Sequence, residues 1–418
     1  KRGEKGRMSI SYSGNFSIGS KVTYDKLDLM NSKERVDVSR EVYEMGLVSS
    51  RSLSKVGYEG LLQQYLQEKI SYDEFNAGVK KLEVVNTDWF DILFENPFSY
   101  SNNISISGGS DKTTYYASFG ITNNNGTAKG NDSKSYQGSV NVNTVFWDKL
   151  QFSAKIAGSV SKTSGFHNSV APYSYASTTS RVLPAFEDNG ELAYYQTREG
   201  YKFNVLNELA ESGNENTSNS LNVNVSLNWE ILKGLKYEMS LGYGYSSTHG
   251  ESWATEMTNY IAKIRGYEFG MYGPSDTQYQ VSSLPHGGEL NTSDTRSENY
   301  TWRNQLSYVK NFGRHLITAT VGQEANSTKY NGFTGIYYGY LPGRGMTIMN
   351  PPLTTSRPTG DIVENTSYAQ PRTTIIDNKS NKLSFYGAFS YTFDERYVFN
   401  ASIRSDASNR FGQDKDAR

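Results

Sequence analysis

Period-two alternation of apolar and polar residues runs through most of this chain, and it limits the fold to sheets with one greasy and one wet face. Met8, Ile10, Tyr12, Phe16 and Ile18 alternate with Ser9, Ser11, Ser13, Asn15 and Ser17. The pattern returns at Ile104 and Ile106, at Tyr115, Ala117, Phe119 and Ile121, and at Tyr136, Val140 and Val142. Leu150, Phe152, Ala154, Ile156 and Val160 follow, then Leu221 to Trp229 and Leu235 to Tyr245. Weaker runs occupy 300–309 and 315–322, and two strong ones, Leu383 to Phe393 and Tyr397 to Ile403, close the chain. About eleven strands result, read as ~9–11 residues each, the length that crosses a bilayer at a tilt of about 45°. Their polar faces are Ser, Asn, Gln, Lys and Glu, which suit water and not a second sheet. A soluble sandwich would show strands of ~5–6 residues.

The connections alternate as well. Short turns sit at 108–113, 145–149, 231–234, 310–314 and 394–396. Between them lie long segments, roughly 19–102, 122–135, 162–219, 247–298 and 323–381, read as loops. Tight turns on one side and long loops on the other are the asymmetry of an outer-membrane barrel, with the loops outside the cell. The expected fold class is therefore all-β, a transmembrane antiparallel β-barrel with long extracellular loops. Its expected place is the bacterial outer membrane, crossed many times. An odd strand count argues that the chain is part of such a barrel, because an open sheet in lipid leaves costly unpaired edges. Aromatic residues near strand ends (Tyr12, Tyr115, Trp147, Trp229, Tyr245, Trp302, Phe393, Tyr397) suit the membrane interfaces.

Composition removes other classes. With Lys+Arg 42 against Asp+Glu 43 the net charge is -1, so nucleic acid is not an expected partner. Hydrophobic residues are 36% of the chain, too few for a large three-dimensional core, and no apolar run reaches the ~18 residues of a membrane helix. The absence of cysteine settles no compartment. Lys1 to Gly6 and Gln413 to Arg418 read as cuts inside a longer protein.

The organisation expected is a first strand over 1–19, a partly helical outer insertion over 20–100, and barrel strands with long outer loops over 101–418. In the insertion, Ser71-Tyr72-Asp73-Glu74 is a capping box opening a helix with Phe75, Val79 and Leu82 on one face. Leu61, Leu62, Tyr65 and Leu66 suggest a helix before it.

No enzyme is expected. The chain lacks a cysteine nucleophile, a phosphate loop and an HExxH motif, and its histidines (His167, His249, His286, His315) stand far apart. Acidic turns at 187–191 and 414–416 offer oxygen ligands for calcium but read better as solvated loop. No cofactor is expected. The loops do carry many large rings: Tyr173, Tyr175, Tyr194, Tyr195, Trp253, Tyr337 and Tyr338, with Tyr260, Tyr267 and Tyr340 nearby. Such rings can stack on sugars or hold a peptide, so the first seven are the candidate substrate-binding residues. The competing reading is that they pack the loops against each other or a partner.

Four stretches resemble the SusC/RagA type of TonB-dependent outer-membrane transporter. Lys1-Arg2-Gly3 before the first strand resembles the family's plug-to-barrel junction, and Thr87 to Phe94 the element before its second strand. Asn103 to Ser110 with Lys112 to Ser118 resembles its best-known hairpin; Glu395-Arg396-Tyr397, Ile403 to Ser408 and Arg410-Phe411-Gly412 resemble its mid-barrel signature. The resemblance implies a barrel of about 22 strands, of which this chain is the first half, without the plug and the C-terminal half. It implies active import of an oligosaccharide or peptide, a SusD-like surface lipoprotein as lid, outer-membrane lipid around the wall, and TonB acting through a segment not in this chain. This chain's share is wall and outer vestibule. Two alternatives remain open at this point: a surface β-rich glycan-binding or adhesin module without transport, and a glycan hydrolase on a propeller, for which no carboxylate pair is nominated.

Overall fold

In the computed structural model, which describes residues 6–47, 53–356 and 359–410, every strong alternating run is a strand of one antiparallel sheet. Five strands pair in succession: β1 (Gly6–Ile18), β2 (Phe98–Gly109), β3 (Thr113–Asn125), β4 (Asp132–Phe146) and β5 (Leu150–Gly165). The chain then makes a separate ribbon, β6 (Tyr195–Gln196) with β7 (Lys202–Phe203), before returning to the sheet beside β5. From there β8 (Ser212–Leu232), β9 (Leu235–Ala254), β10 (Gly288–Phe312) and β11 (His315–Leu341) follow. A short β12 (Thr347–Ile348) hangs on β11, and β13 (Thr354–Ser356) with β14 (Ile362–Glu364) forms another ribbon. The sheet ends with β15 (Arg372–Phe393) and β16 (Tyr397–Ser408). Eleven strands thus lie on one path, β1-β2-β3-β4-β5-β8-β9-β10-β11-β15-β16, and β1 and β16 do not pair with each other. Lys1-Arg2-Gly3, Phe411-Gly412 and the acidic turn at 414–416 lie outside the described residues.

Among the described residues, register shifts in this sheet fall at Gly6/Ser9, Glu230/Leu232 and Gly288/Glu289, so parity tracks the two faces along each strand between them. One face presents Ile10, Ile104, Phe119, Val140, Ile156, Leu241, Trp302, Val321, Phe385 and Phe399, all exposed. Phe152, Val225 and Met239 share that face by the same parity. Among the described residues the buried apolar clusters lie elsewhere, in the loops and their helices, and no second layer of them covers this band. The opposite face is wet and internally bonded. Ser118 meets Ser139 at 2.9 Å and Ser159 meets Ser220 at 2.8 Å, while Gln305 donates to Glu238 at 3.0 Å and accepts from the Tyr386 hydroxyl at 2.9 Å. Polar groups that interrupt the apolar face bond one another: the Tyr237 hydroxyl donates to Asn304, which donates to Gln323, and Thr113 meets Thr144 at 2.7 Å, so they are satisfied where lipid could not satisfy them.

The expected turns all form, at one edge of the sheet. Gly234 closes the β8–β9 turn with φ +85°, and a Cβ there would meet the Val309 carbonyl oxygen at 2.1 Å. That backbone N–H of Val309 donates to the Gly234 carbonyl at 2.7 Å, locking the turn to β10. Gly234→Ala is therefore expected to lower stability by ~1–3 kcal/mol, read as a drop in the urea midpoint of the folded barrel. An unchanged midpoint would show that the turn can move away from β10.

The strand lengths differ from expectation. β8, β9, β10, β11 and β15 run 21, 20, 25, 27 and 22 residues, about twice the ~9–11 needed to cross a bilayer. Much of what reads as loop in 162–219, 247–298 and 323–381 is paired strand, because hairpins projecting into water need no greasy face. On β10, Phe312 near the turn and Tyr300 are twelve positions apart. At ~3.3 Å per residue and a tilt of ~40° that is about 30 Å, an apolar band with its aromatic rims. Beyond Tyr300 the strand continues to Gly288 with polar residues on both faces.

The rest of the outer edge is folded, not structureless. Between β1 and β2 lie α1 (Ser32–Glu44), α2 (Gly57–Leu66), α3 (Tyr72–Val84) and α4 (Trp89–Leu93). Capping boxes at Asn31/Glu34 and Ser71/Glu74 open α1 and α3. Between β5 and β8 come α5 (Pro172–Thr178) and α6 (Val205–Glu211); between β9 and β10 come α7 (Asn259–Arg265) and α8 (Thr277–Val281). Val36, Leu62, Val79, Trp89, Phe90, Ala176, Val182 and Val205 form one buried cluster, which joins the 20–100 insertion to the segment after β5.

Candidate outer vestibule

The folded layer over the strand ends positions the candidate rings. Tyr173 and Tyr175 stand on α5, whose first residue is Pro172. Tyr175 is half-buried, edge-on to Trp89 at 5.0 Å and stacked on Phe203 at 5.7 Å, and burial pushes its hydroxyl well above the ordinary tyrosine range. Tyr195, on β6, packs against Phe203 at 5.6 Å. Tyr173 faces outward, 54% exposed, with its ring edge-on to Phe90 and Phe94. Tyr194 is 45% exposed and its hydroxyl donates to Asn207 at 3.0 Å.

The other three candidates lie at the tips of the long hairpins. Trp253 pairs with Leu290, and Leu290 with Tyr337, so the three share one row across β9, β10 and β11. The Trp253 ring lies flat over Gly213, where a Cβ would come within 2.6 Å of it; Tyr337 covers Gly335 in the same way. Both rings are half-buried and on the face that Leu241 presents nearer the turns. Tyr338, on the opposite face, is buried and meets Tyr368 edge-on at 4.8 Å. The structure thus brings Tyr175 and Tyr195 together on Phe203, with Tyr173 on the same helix, while Tyr194 bonds Asn207 and Trp253, Tyr337 and Tyr338 lie on the long hairpins.

A polar node whose members the sequence names only apart from one another links the loop after β5 to the start of β10. Glu289 is buried; the Tyr260 hydroxyl donates to it at 2.9 Å and Asn291 at 2.6 Å. His167, from the loop after β5, reaches it at 3.7 Å and bonds Ser169 through Nδ1 at 2.7 Å. Burial raises the Glu289 carboxyl, but the bonds from His167, Tyr260 and Asn291 together outweigh it and leave the carboxyl below the usual range. Their association is hidden in the sequence, where they stand up to 122 positions apart. Nearby, Glu208 accepts from the Asn259 backbone N–H at 2.7 Å, and burial pushes its carboxyl up.

Outside the apolar band, His249 on β9 bonds Asp294 on β10 at 2.9 Å and sits 3.4 Å from Glu251. The bond to Asp294 raises the imidazole above its ordinary value of 6.5, against a partial desolvation. A raised histidine stabilises the hairpin fully below pH 6.5 and loses that contribution as pH rises through the folded value. An NMR titration of full-length protein is expected to show His249 above 6.5 and Asp294→Asn to bring it back; equal values in both proteins would refute the pairing. Among the described residues no group of three metal-ligating side chains is present.

A meandering sheet with one wet face, one uncovered greasy face, tight turns at one edge and built-up loops at the other is the wall of a transmembrane β-barrel. No family model matches the chain. It is 23% identical over 445 residues to the TonB-dependent receptor SusC of Bacteroides thetaiotaomicron, covering 99% of this chain and 36% of that protein. It is 21% identical to the TonB-dependent receptor P3 of Formosa agariphila, over 78% of this chain and 30% of that one. Its fold matches the RagAB peptide transporter with TM-score 0.67 at 23% identity, and the closed-closed state of the RagAB peptide importer with TM-score 0.68 at 20% identity. Each covers 99% of this chain and 43% of that chain. The resemblance to SusC/RagA-type transporters carried by the motifs therefore holds in sequence and in fold. The chain spans well under half the length of these relatives.

Proposed function

We propose that the whole protein imports an oligosaccharide or a peptide actively across the bacterial outer membrane, with this chain as barrel wall and outer vestibule. The observation that carries the reading is the uncovered apolar band on one face of an eleven-stranded meander. Lipid is the solvent that such a band fits, and the sheet crosses it many times. Substrate is held at the outer side, where the exposed Tyr173 ring stands against Phe90 and Phe94 and the exposed Tyr194 bonds Asn207. Flat amphipathic rings with Asn and Arg neighbours suit sugars and peptides alike. A SusD-like surface lipoprotein is the lid over this layer, and TonB supplies work from the inner-membrane gradient, about 2.3 kcal/mol per charge per 100 mV.

Cells carrying the full-length protein should accumulate a labelled oligosaccharide or oligopeptide too large for porins, and a protonophore should stop accumulation while leaving surface binding. Tyr173→Ala with Tyr194→Ala should weaken surface binding roughly thirtyfold, taking ~1 kcal/mol per lost ring. Accumulation that survives the protonophore would sink active import; binding unchanged in the double variant would clear these rings of contact. Which labelled compound accumulates distinguishes glycan from peptide.

A further inference from the structure

The apolar face is not uniformly convex. Between Ile104, Phe119, Val140 and Ile156 it dips over Ala117 and Gly138 into an open groove of about 520 Å³. Gly138 pairs with Gly158 on β5, so the low floor continues across two strands. Moving outward along the same parity, the next pair is Tyr136 and Val160, and the next is Lys134 and Lys162. The two lysines are therefore cross-strand partners on this face, four residues beyond the groove, which is about 14 Å along the strands. Lys134 bends back toward the groove, its Nζ 5.9 Å from the centre of the Tyr136 ring. Lys162 is held by Glu215 at 2.8 Å, Lys134 has no carboxylate partner among the described residues, and Asp132 lies one step further out.

We propose that this column is a binding site for one outer-leaflet lipid with an anionic phosphate headgroup, its acyl chain in the groove and its phosphate between Lys134 and Lys162. The vertical order fits such a lipid: hydrocarbon at Gly138, an amphipathic ring at Tyr136 where ester groups lie, cations where phosphate lies. Charge complementarity chooses the occupant. A greasy segment of another protein would leave the Lys134 ammonium above it without an anionic partner, whereas a phosphate accepts from Lys134 and adds a second acceptor to Lys162 beside Glu215. Lys162 keeps Glu215 as its second neighbour, which holds the ammonium in place when the site is vacant.

The proposal rests on the outer-membrane reading, and the test separates the two. Full-length protein purified in detergent would be mixed with phosphatidic acid, or with phosphatidylcholine of the same chains, and retained lipid counted by native mass spectrometry. One phosphatidic acid per barrel is expected, with phosphatidylcholine held roughly tenfold more weakly. Inorganic phosphate should not displace the lipid, because the chain in the groove carries part of the affinity. Gly138→Leu fills the groove without straining the backbone: its φ is ordinary and a Cβ there meets nothing closer than the Ser118 carbonyl oxygen at 3.8 Å. That variant should fold and lose both lipids, while Lys134→Gln with Lys162→Gln should reduce phosphatidic acid to the phosphatidylcholine level. A heat-modifiable barrel that retains no phosphatidic acid, or retains it undiminished in either variant, overturns the site alone. A protein that stays dispersed without detergent overturns the site and the membrane reading together.

Discussion

Val321→Arg is expected to cost about 2–4 kcal/mol of folding stability in a bilayer, and Thr320→Arg, one residue away, close to nothing. The two positions differ only in face. Val321 is 58% exposed between Leu306 and Gly387 in the apolar band. Thr320 faces the wet side, where its hydroxyl meets Ser307 at 3.3 Å. In water the exposed valine would be the more tolerant site, because a surface arginine is normally near neutral. In lipid the order inverts, since a guanidinium placed among acyl chains must drag water or headgroups with it. The measurement is urea unfolding of the full-length protein from lipid vesicles. Equal costs at the two positions would mean that something other than hydrocarbon covers Val321.

The face assignment was legible because the side-chain period on a strand is fixed at two, and residues such as Ile104, Ile106, Phe119 and Val140 declare their side one by one. Strand extent was not legible in the same way. Alternation in 300–309 and 315–322 is weak, yet these runs belong to the longest strands, β10 and β11. Above the aromatic rim both faces of a hairpin meet water, so Asp294, Arg296, Glu298 and Lys329 carry no periodic signal although each is paired. The tight turns left their mark in Gly, Asp and Asn residues with short spacing. The helices were half legible: a capping box and an apolar stripe announce α3, but α4 is five residues long and has room for neither. Of the rings, sequence density marks Tyr173 and Tyr194 no differently from Tyr175 and Tyr338. Only packing separates a ring free to meet a ligand from one stacked on Phe203 or Tyr368. The His167–Glu289 pairing is not legible for a related reason, since its members come from a loop, from α7 and from the end of β10, which only the folded outer layer brings together.

That separation of wall from outer layer sets the last expectation. Phe90→Ala should destabilise the outer layer by about 3–5 kcal/mol and leave the wall folded. Phe90 is 0% exposed, edge-on to Tyr24 at 4.9 Å and tilted against Phe94 at 5.5 Å, at the centre of the cluster that joins 20–100 to the segment after β5. Its neighbour Trp89 is equally enclosed and donates to the Ser180 carbonyl at 3.4 Å, so little can slide in to fill the cavity. The wall does not share this core: its ladders are complete from β1 to β16 without any residue of the helices. The loss should therefore appear as local opening. Amide exchange and protease cutting should accelerate in α1 to α5, while heat-modifiable migration of the barrel is unchanged. Tyr173 leans on Phe90, so surface binding of substrate should weaken in the same variant even though Phe90 touches no ligand. Loss of the barrel itself would instead show that the outer layer and the wall fold as one unit, and unaltered exchange in α1 to α5 would show that this cluster does not hold the layer together.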